Sequence, residues 1–496
     1  MPCSAGRRAR LRPGSVRRRC RAPCRASGLR PRRRGRRATR LPWSGGCGRQ
    51  CASVWKGLSE RPSRRSVHEN TLDGCMRFSI HSDTMWSSRR GTRVLSATTS
   101  ERARQEGPLA GIRVLDLTRV VMGPLATQVL ADQGAEVILV EAPGGDTNRV
   151  MGPGPHPELS GIALNLLRNK RSIDVDLKSA EGAELVRRLV RTVDVVVTTM
   201  RPKAVTRLGL DYDTLRALKP DLVYCQAQGF PLGSERADEP AYDDIIQAAS
   251  GVSDLMERVW GQPALIPTIF ADKVCGLVMA QAICAALFHR ERTGEGQHIE
   301  VPMQQTTAAF VLAEHGSGAI SEPPVNAPGQ PAAGYPRIIS PDRRPHPTKD
   351  GQVHLFPYLP RHYAALFTEA GVPGAENDPR YADQRATLFH SQSLYQDVRR
   401  LGPSRTTEEW LTYCRAAGIP ATRVASIQDL VDELPLAEHP AVGSYRVIPQ
   451  MALFSRTPGG VRRPAPLIGE HTEEVLREAA ELAPGTTAGV ASERGE

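Results

Sequence analysis

Hydrophobic and polar positions along the chain switch between two periods from Pro108 onward. IRVLDL is short, apolar and β-rich, Gly123-Pro124 turns, PLATQVLADQG spaces its apolar residues as a helix does, and AEVILVE is a second apolar strand. Gly111 to Glu141 is therefore a strand–helix–strand unit, which pairs its strands in parallel and needs helices on both faces of the sheet. The pattern goes on with a helix in AEGAELVRRLVRT, a strand in VDVVVTT, a helix in YDTLRALKP and a strand in LVYCQAQGF. A long helix starts near Asp272, and the strand GQHIEVPM follows it. The proline-rich stretch Pro323 to Pro347 breaks the regularity. Beyond it lie a strand in GQVHLFPYL, helices in RHYAALFTEAG and TEEWLTYCRAAG, strand-like PATRVAS and GSYRVI, and a last helix in EHTEEVLREAAEL. No internal repeat is evident.

The Asp272 stretch is distinctive. Val274 to Phe288 is an uncharged run, too short to span a bilayer and better suited to a buried core helix. His289, Arg290 and Arg292 with Gly294 beyond them give it a cationic last turn and a stop. Asp272 falls at the other end, where the helix dipole favours an anion. By spacing alone it reads as an N-cap.

Charge divides the chain. The net +12 hides a first segment, residues 1–106, with 27 Lys+Arg against 6 Asp+Glu; the rest carries 38 against 47. The part expected to fold is thus mildly acidic, and a nucleic-acid role for the whole loses its support. Arginine runs and absent apolar periodicity predict disorder for residues 1–106. Three readings of them stay open: a start assigned too far upstream, a transit segment, or a basic binding arm. Six of the ten cysteines lie there; Cys225, Cys275, Cys284 and Cys414 are scattered, without metal-ligand spacing, as suits a reducing cytosol.

The turn after the first strand, RVVMGPLA, lacks the GxGxxG that brings backbone against a pyrophosphate, although Glu141 ends the second strand where a ribose-binding acid would stand. There is no P-loop, no GxSxG and no HExxH. His289, His298, His354, His362, His439 and His471 are isolated in sequence and read as structural or surface residues. Asp243-Asp244 are neighbours whose side chains should point apart.

Longer blocks carry a resemblance: PLAGIRVLDLTRVVMGPLATQVLADQGAEVILVE, NKRSIDVDLKSAEG, RLGLDYDTLRALKPDLVYCQAQGF, YDDIIQAASG, ALFHRERTGEGQHIEV and FSRTPGGVRRPAPLIGEHTEEVL. Residues 108–478 resemble the family III CoA-transferases, the CaiB/BaiF type that includes formyl-CoA and carnitine CoA-transferases. The resemblance implies that Asp272 is a covalent nucleophile, and one residue can both cap and attack. It implies CoA as a substrate, with no permanently bound cofactor or metal, lying at Val121, Val175, Lys178, Thr199, Met200, Arg201, Arg207 and Tyr242. Lys178, Arg201 and Arg207 are then the phosphate partners. The partners implied are an acyl-CoA, an acceptor acid and a second copy of the chain, with no nucleic acid and no membrane. Some family positions differ: Ala142 replaces a basic residue, TTMRPK replaces Glu-Asn-Phe-x-Pro-Gly, GFPLGSE replaces GFGxxGP, and no polyglycine loop is present.

The related α-methylacyl-CoA racemases use a histidine before the aspartate of a motif like HDINY. Here Tyr242 stands there, in AYDDIIQ, and tyrosine, with an unperturbed pKa of about 10, is a poor base. Transfer is favoured over racemisation, and a CoA-binding subunit without turnover is the third reading. The expected fold is α/β: a Rossmann-like domain with a mostly parallel sheet built from both chain ends, a smaller inserted α+β domain, and an interlocked dimer. The expected boundaries are 107–312 and 426–480 for the large domain, 313–345 for a linker, 346–425 for the small domain, and 481–496 for a disordered tail. The expected location is cytoplasmic, or the mitochondrial matrix if residues 1–106 are a transit segment. Arg343, Arg344 and Arg361 in the small domain are candidates to meet the far end of a dicarboxylate.

Overall fold

Strands that are apolar on both sides need cover on both sides, and the fold supplies it. The computed structural model describes residues 107–326 and 331–481; the extension 1–106 and the tail beyond 481 lie outside the described residues. β1 (Arg113–Leu117), β2 (Glu136–Glu141), β3 (Lys170–Asp174), β4 (Val195–Thr198), β5 (Val223–Gln228) and β6 (Gln297–Pro302) form one sheet. Its order is β3-β2-β1-β4-β5-β6, and every neighbouring pair is parallel. The intervening helices are α1 (Met122–Asp132), α2 (Gly161–Leu166), α3 (Ala180–Val190), α4 (Pro202–Arg207), α5 (Tyr212–Leu218), α6 (Asp243–Ala249), α7 (Val252–Trp260) and α8 (Phe270–Thr293). α9 (Met303–His315) follows β6.

Successive strand residues go to opposite faces. Val114, Val137, Val195 and Val223 pack with Ala126 and Leu130 of α1 and with Cys275, Met279 and Ile283 of α8. Leu115, Ile138, Val196 and Tyr224 pack with Val186 and Leu189 of α3 and Leu215 of α5 on the other face. α8 has 24 residues, longer than its uncharged run because charged residues extend both ends. By length and composition alone it could cross a membrane, the one such helix among the described residues; half of its most apolar window is buried inside the fold.

A second core gathers Val353, Leu355, Tyr363, Phe367, Leu394, Val398, Trp410 and Cys414. It joins the antiparallel strands β7 (His346–Pro347), β8 (Gln352–Leu355) and β9 (Ala421–Arg423) to α10 (Pro360–Glu369), α11 (Gln384–Phe389), α12 (Ser391–Leu401) and α13 (Thr407–Ala417). α13 starts with a capping box, Thr406 and Glu409. After α14 (Ile427–Asp432), the hairpin β10 (Leu436–His439) and β11 (Gly443–Arg446) brings Ala437 and Tyr445 against Leu139, Leu159 and Leu164. α15 (Thr472–Glu481) returns Val475 to the core on the α3 face, and Arg171 of β3 reaches Glu474 at 3.0 Å and Glu478 at 2.7 Å.

Candidate active site

A parallel sheet returns every crossover to the same edge, so the segments that follow β1 to β4 share one rim. The winding direction reverses between β1 and β4, the place where open α/β sheets bind ligands. The two following loops meet there, with the Arg119 N–H donating to Thr199 Oγ1 at 3.1 Å. Val120 in this loop has φ 68°, a left-handed value that a β-branched residue holds only when its surroundings impose it. Asp146 and Asn148 impose it: Asp146 Oδ1 accepts the Val120 N–H at 3.0 Å, and Asn148 Nδ2 donates to the Val120 carbonyl at 3.3 Å. Gly123 has no room for a side chain, since a Cβ would lie 2.2 Å from Thr118 Cβ. The N-terminus of α1 is pinned against the end of β1.

Asp272 reaches this place from α8. Its spacing suggested an N-cap, but the N-cap is Ile269, and Asp272 is the third residue of the first turn. As the third residue it is past the capping position, and its own N–H is met from another element: Asp243 Oδ1, at the start of α6, accepts it at 3.0 Å. The Asp272 carboxylate instead accepts a hydrogen bond from the backbone N–H of Met122, the first residue of α1. Asp272 thus lies beside the N-terminus of α1 as well as in the first turn of its own helix, and both dipoles favour the anion. Gly276 permits the approach, because a Cβ there would lie 2.6 Å from the Met122 carbonyl oxygen.

Asp272 is only 8% exposed. Burial, and then the neighbouring Asp243 carboxylate, push its carboxyl up to about 6, while the Met122 bond opposes the rise. The group is mostly ionised at neutral pH, yet it is more basic and less hydrated than a surface aspartate. Both properties favour attack on an acyl carbon.

The other expected residues distribute along the rim. Val121 is buried as the N-cap residue of α1. Val175 is buried just past β3, and Lys178 is exposed in the next turn. Thr199 and Met200 are half-buried after β4, Arg201 precedes α4, and Arg207 lies in its last turn; both arginines are exposed. Tyr242 is exposed and precedes Asp243, so it flanks the Asp272 end of the site. Of the adjacent pair, Asp243 is half-buried and Asp244 exposed, so the two do point apart. No local pattern marked Asp243 as a partner of Asp272, since the two are 29 positions apart. Met122 and Gly276 were equally unmarked. In the small core, His354 is not isolated: it stacks between His346 and Phe356, each 5.9 Å away. Arg361 is exposed on α10, whereas Arg343 and Arg344 are half-buried.

A doubly covered parallel sheet with a buried carboxylate at its switch point defines an α/β enzyme acting on a ligand laid across the strand ends. The family model for CoA-transferase family III matches residues 109–472, and the chain belongs to that family. It is 35% identical over 390 residues to the succinate–glutarate CoA-transferase of Agrobacterium fabrum, covering 75% of this chain and 95% of that one. It is 33% identical over 387 residues to a probable fatty acyl-CoA transferase of Mycobacterium tuberculosis, covering 74% and 97%. Among solved structures, a CaiB/BaiF family protein from Brucella suis superposes with TM-score 0.62 at 28% identity, covering 76% of this chain and all of that one.

Proposed function

We propose that the chain moves CoA from an acyl-CoA thioester to a free carboxylic acid through Asp272. The observation that carries this is the buried Asp272 carboxylate, held by the Met122 N–H at the strand-end rim with its carboxyl pushed up to about 6. Asp272 Oδ attacks the thioester carbonyl carbon, the C–S bond breaks, and CoA thiolate leaves a mixed anhydride. The thiolate then attacks Asp272 Cγ, expelling the donor acid and forming an aspartyl-CoA thioester. The acceptor carboxylate attacks the same carbon and releases the thiolate, which attacks the acceptor's acyl carbon and frees Asp272. Every step is a substitution at an acyl carbon, so protons and electrons balance without a cofactor.

CoA is read as lying along Val121, Val175, Lys178, Thr199, Met200, Arg201, Arg207 and Tyr242. Lys178, Arg201 and Arg207 form no ion pair among the described residues, which leaves them available to phosphates. The exposed apolar side chains Leu277, Val278 and Phe288 of α8 and Phe310 and Leu312 of α9 support a homodimer that covers them. The buried residues Cys275, Met279 and Ile283 support reading α8 as a core helix and not a membrane span. We read residues 346–425 as the inserted small domain that shields the anhydride from water. The unpaired thiols Cys225, Cys275, Cys284 and Cys414 suit the cytoplasm. The relatives are named for both dicarboxylic and fatty acyl substrates, so the acids exchanged are set by residues beyond the nucleophile.

The test is intact-protein mass after mixing the chain with a panel of acyl-CoAs, then adding hydroxylamine. The expected result is a CoA adduct lost on trapping and absent from Asp272→Ala. Deuterium exchange at an α-carbon without an adduct would move the assignment to a racemase.

A further inference from the structure

Two guanidinium groups, those of Arg337 and Arg343, gather on Phe356 just past β8 without a carboxylate between them. Arg337 is 7% exposed; its Nε donates to the Tyr395 hydroxyl at 2.7 Å, and its Cζ lies 4.5 Å from the ring centre of Tyr358 and 5.3 Å from that of Phe356. Arg343 places its Cζ 5.4 Å from the same Phe356 centre. Arg344 follows it in the chain. The Nε atoms of Arg343 and Arg344 are buried and meet no acceptor, and Ser340 Oγ, also buried, has no partner. The nearest carboxylate in the chain, Asp342, is taken by Arg399 at 3.2 Å.

Arg149, Arg168, Lys170 and Arg171, buried like Arg337 and more deeply than the half-buried Arg343 and Arg344, each hold a carboxylate. A cation withdrawn from water without a counterion is costly. Stacking on Phe356 and Tyr358 fixes the guanidinium planes but leaves the charge unmatched. Tyr358 is nearly half exposed, so solvent reaches the edge of the cluster. Planar forks, a spare hydroxyl and an open side together fit an oxyanion.

We infer that Arg337, Arg343, Arg344 and Ser340 form a subsite for an oxyanion of the substrates, either the far carboxylate of a dicarboxylic acid or a phosphate of CoA. The assignment rests on the transferase reading for its choice of ligands, but binding can be measured apart from turnover.

Succinate and butyrate are titrated calorimetrically into the full chain carrying Asp272→Asn, which cannot turn over. CoA and 3′-dephospho-CoA are titrated in parallel. The background is then combined with Arg343→Met, which keeps the stem on Phe356, and separately with Arg344→Met. The expected result is a preference of roughly tenfold or more for the extra anionic group, lost in Arg343→Met. Loss confined to succinate over butyrate identifies the carboxylate; loss confined to CoA over dephospho-CoA identifies the phosphate. Both preferences surviving in both variants overturns the subsite, and so does equal weakening of all four ligands. Should Arg343→Met fail to fold by circular dichroism, Arg344→Met and Arg343→Lys decide by the same preferences. A wild-type chain that binds succinate through these arginines yet forms no Asp272 adduct would sink the transferase mechanism and leave the subsite standing.

Discussion

Charges buried in the frame beneath α1 and charges buried at the strand-end rim or in the small core are treated in opposite ways. Beneath α1, Lys170 is fully buried and donates to Asp116 Oδ2 at 3.1 Å, to Thr127 Oγ1 at 2.7 Å and to the Pro124 carbonyl at 3.0 Å. Arg149 pairs with Glu141, which also accepts from Ser172 Oγ at 2.6 Å, and Arg168 holds Asp132 at 2.6 Å. Every charge in this region has its opposite. Asp272 has none: its charged neighbour is Asp243, of the same sign. The Arg337–Arg343–Arg344 cluster is the mirror case, with positive charge in excess. Matched charge holds the frame, and unmatched charge is left where a ligand can complete it.

The largest test of this contrast is Lys170→Met. It strands Asp116 in a dry site, and leaving one member of a buried pair alone costs about 3–5 kcal/mol. Urea unfolding should show that loss. Lys170→Met with Asp116→Asn should recover part of it, because no bare charge then remains. A single variant as stable as wild type would mean the pair is not what holds β3 to β1.

Asp272 should respond in the opposite direction. Its carboxyl lies above the ordinary carboxylate range, so between about pH 4 and 6 the folded chain keeps a proton that the unfolded chain has released. This group therefore lowers stability as pH rises through that window, and the loss is complete above it. Asp272→Asn removes the penalty and should be more stable than wild type at pH 7, by at most about 3 kcal/mol. The difference should shrink towards pH 4. Activity should fall below about pH 6 as Asp272 protonates, and Asp243→Asn should move that limb to lower pH. The limb should stay above the usual carboxylate range, because burial, the larger cause, remains. An unmoved limb would remove Asp243 from the site's electrostatics.

Gly276→Ala comes next. Its methyl would press on the Met122 carbonyl and separate α8 from α1. Overpacking of this kind costs about 1–3 kcal/mol. It should also weaken the Met122 bond to Asp272 and raise the acid limb, which a purely structural defect would not do.

Which parts of this were legible follows from where each residue finds its partner. β1, β2, β4, β5 and the helices α1, α3 and α8 announce themselves because their apolar residues repeat locally. β3, KRSID, does not, although four of its five residues are buried. Its charged residues carry no apolar repeat, and what satisfies them comes from β1, β2 and α15, with Glu478 lying 307 positions from Arg171. The Asp272 stretch stood out by its helix and by family likeness. Its hydrogen-bond donor at Met122 and its neighbour Asp243 could not be read, being contacts between elements. Arg337 was hidden for another reason: it lies in a proline-rich segment without periodicity, and only the fold sets it on Phe356.

Arg343→Met should have the smallest effect on stability, and that smallness carries information. Arg343 forms no ion pair among the described residues, so its removal strands no carboxylate. What is lost is its stacking on Phe356, worth about 0.5–1 kcal/mol, and what is gained is relief from holding an unmatched, half-buried cation. The net change should stay within about 1 kcal/mol in either direction, against the several lost in Lys170→Met. Urea unfolding of both variants in one buffer, without added anions, makes the comparison. Repeating it with succinate should restore a difference for Arg343, since wild type alone would gain binding energy through the subsite. A loss in Arg343→Met as large as that in Lys170→Met, already present without succinate, would show that Arg343 serves the frame after all.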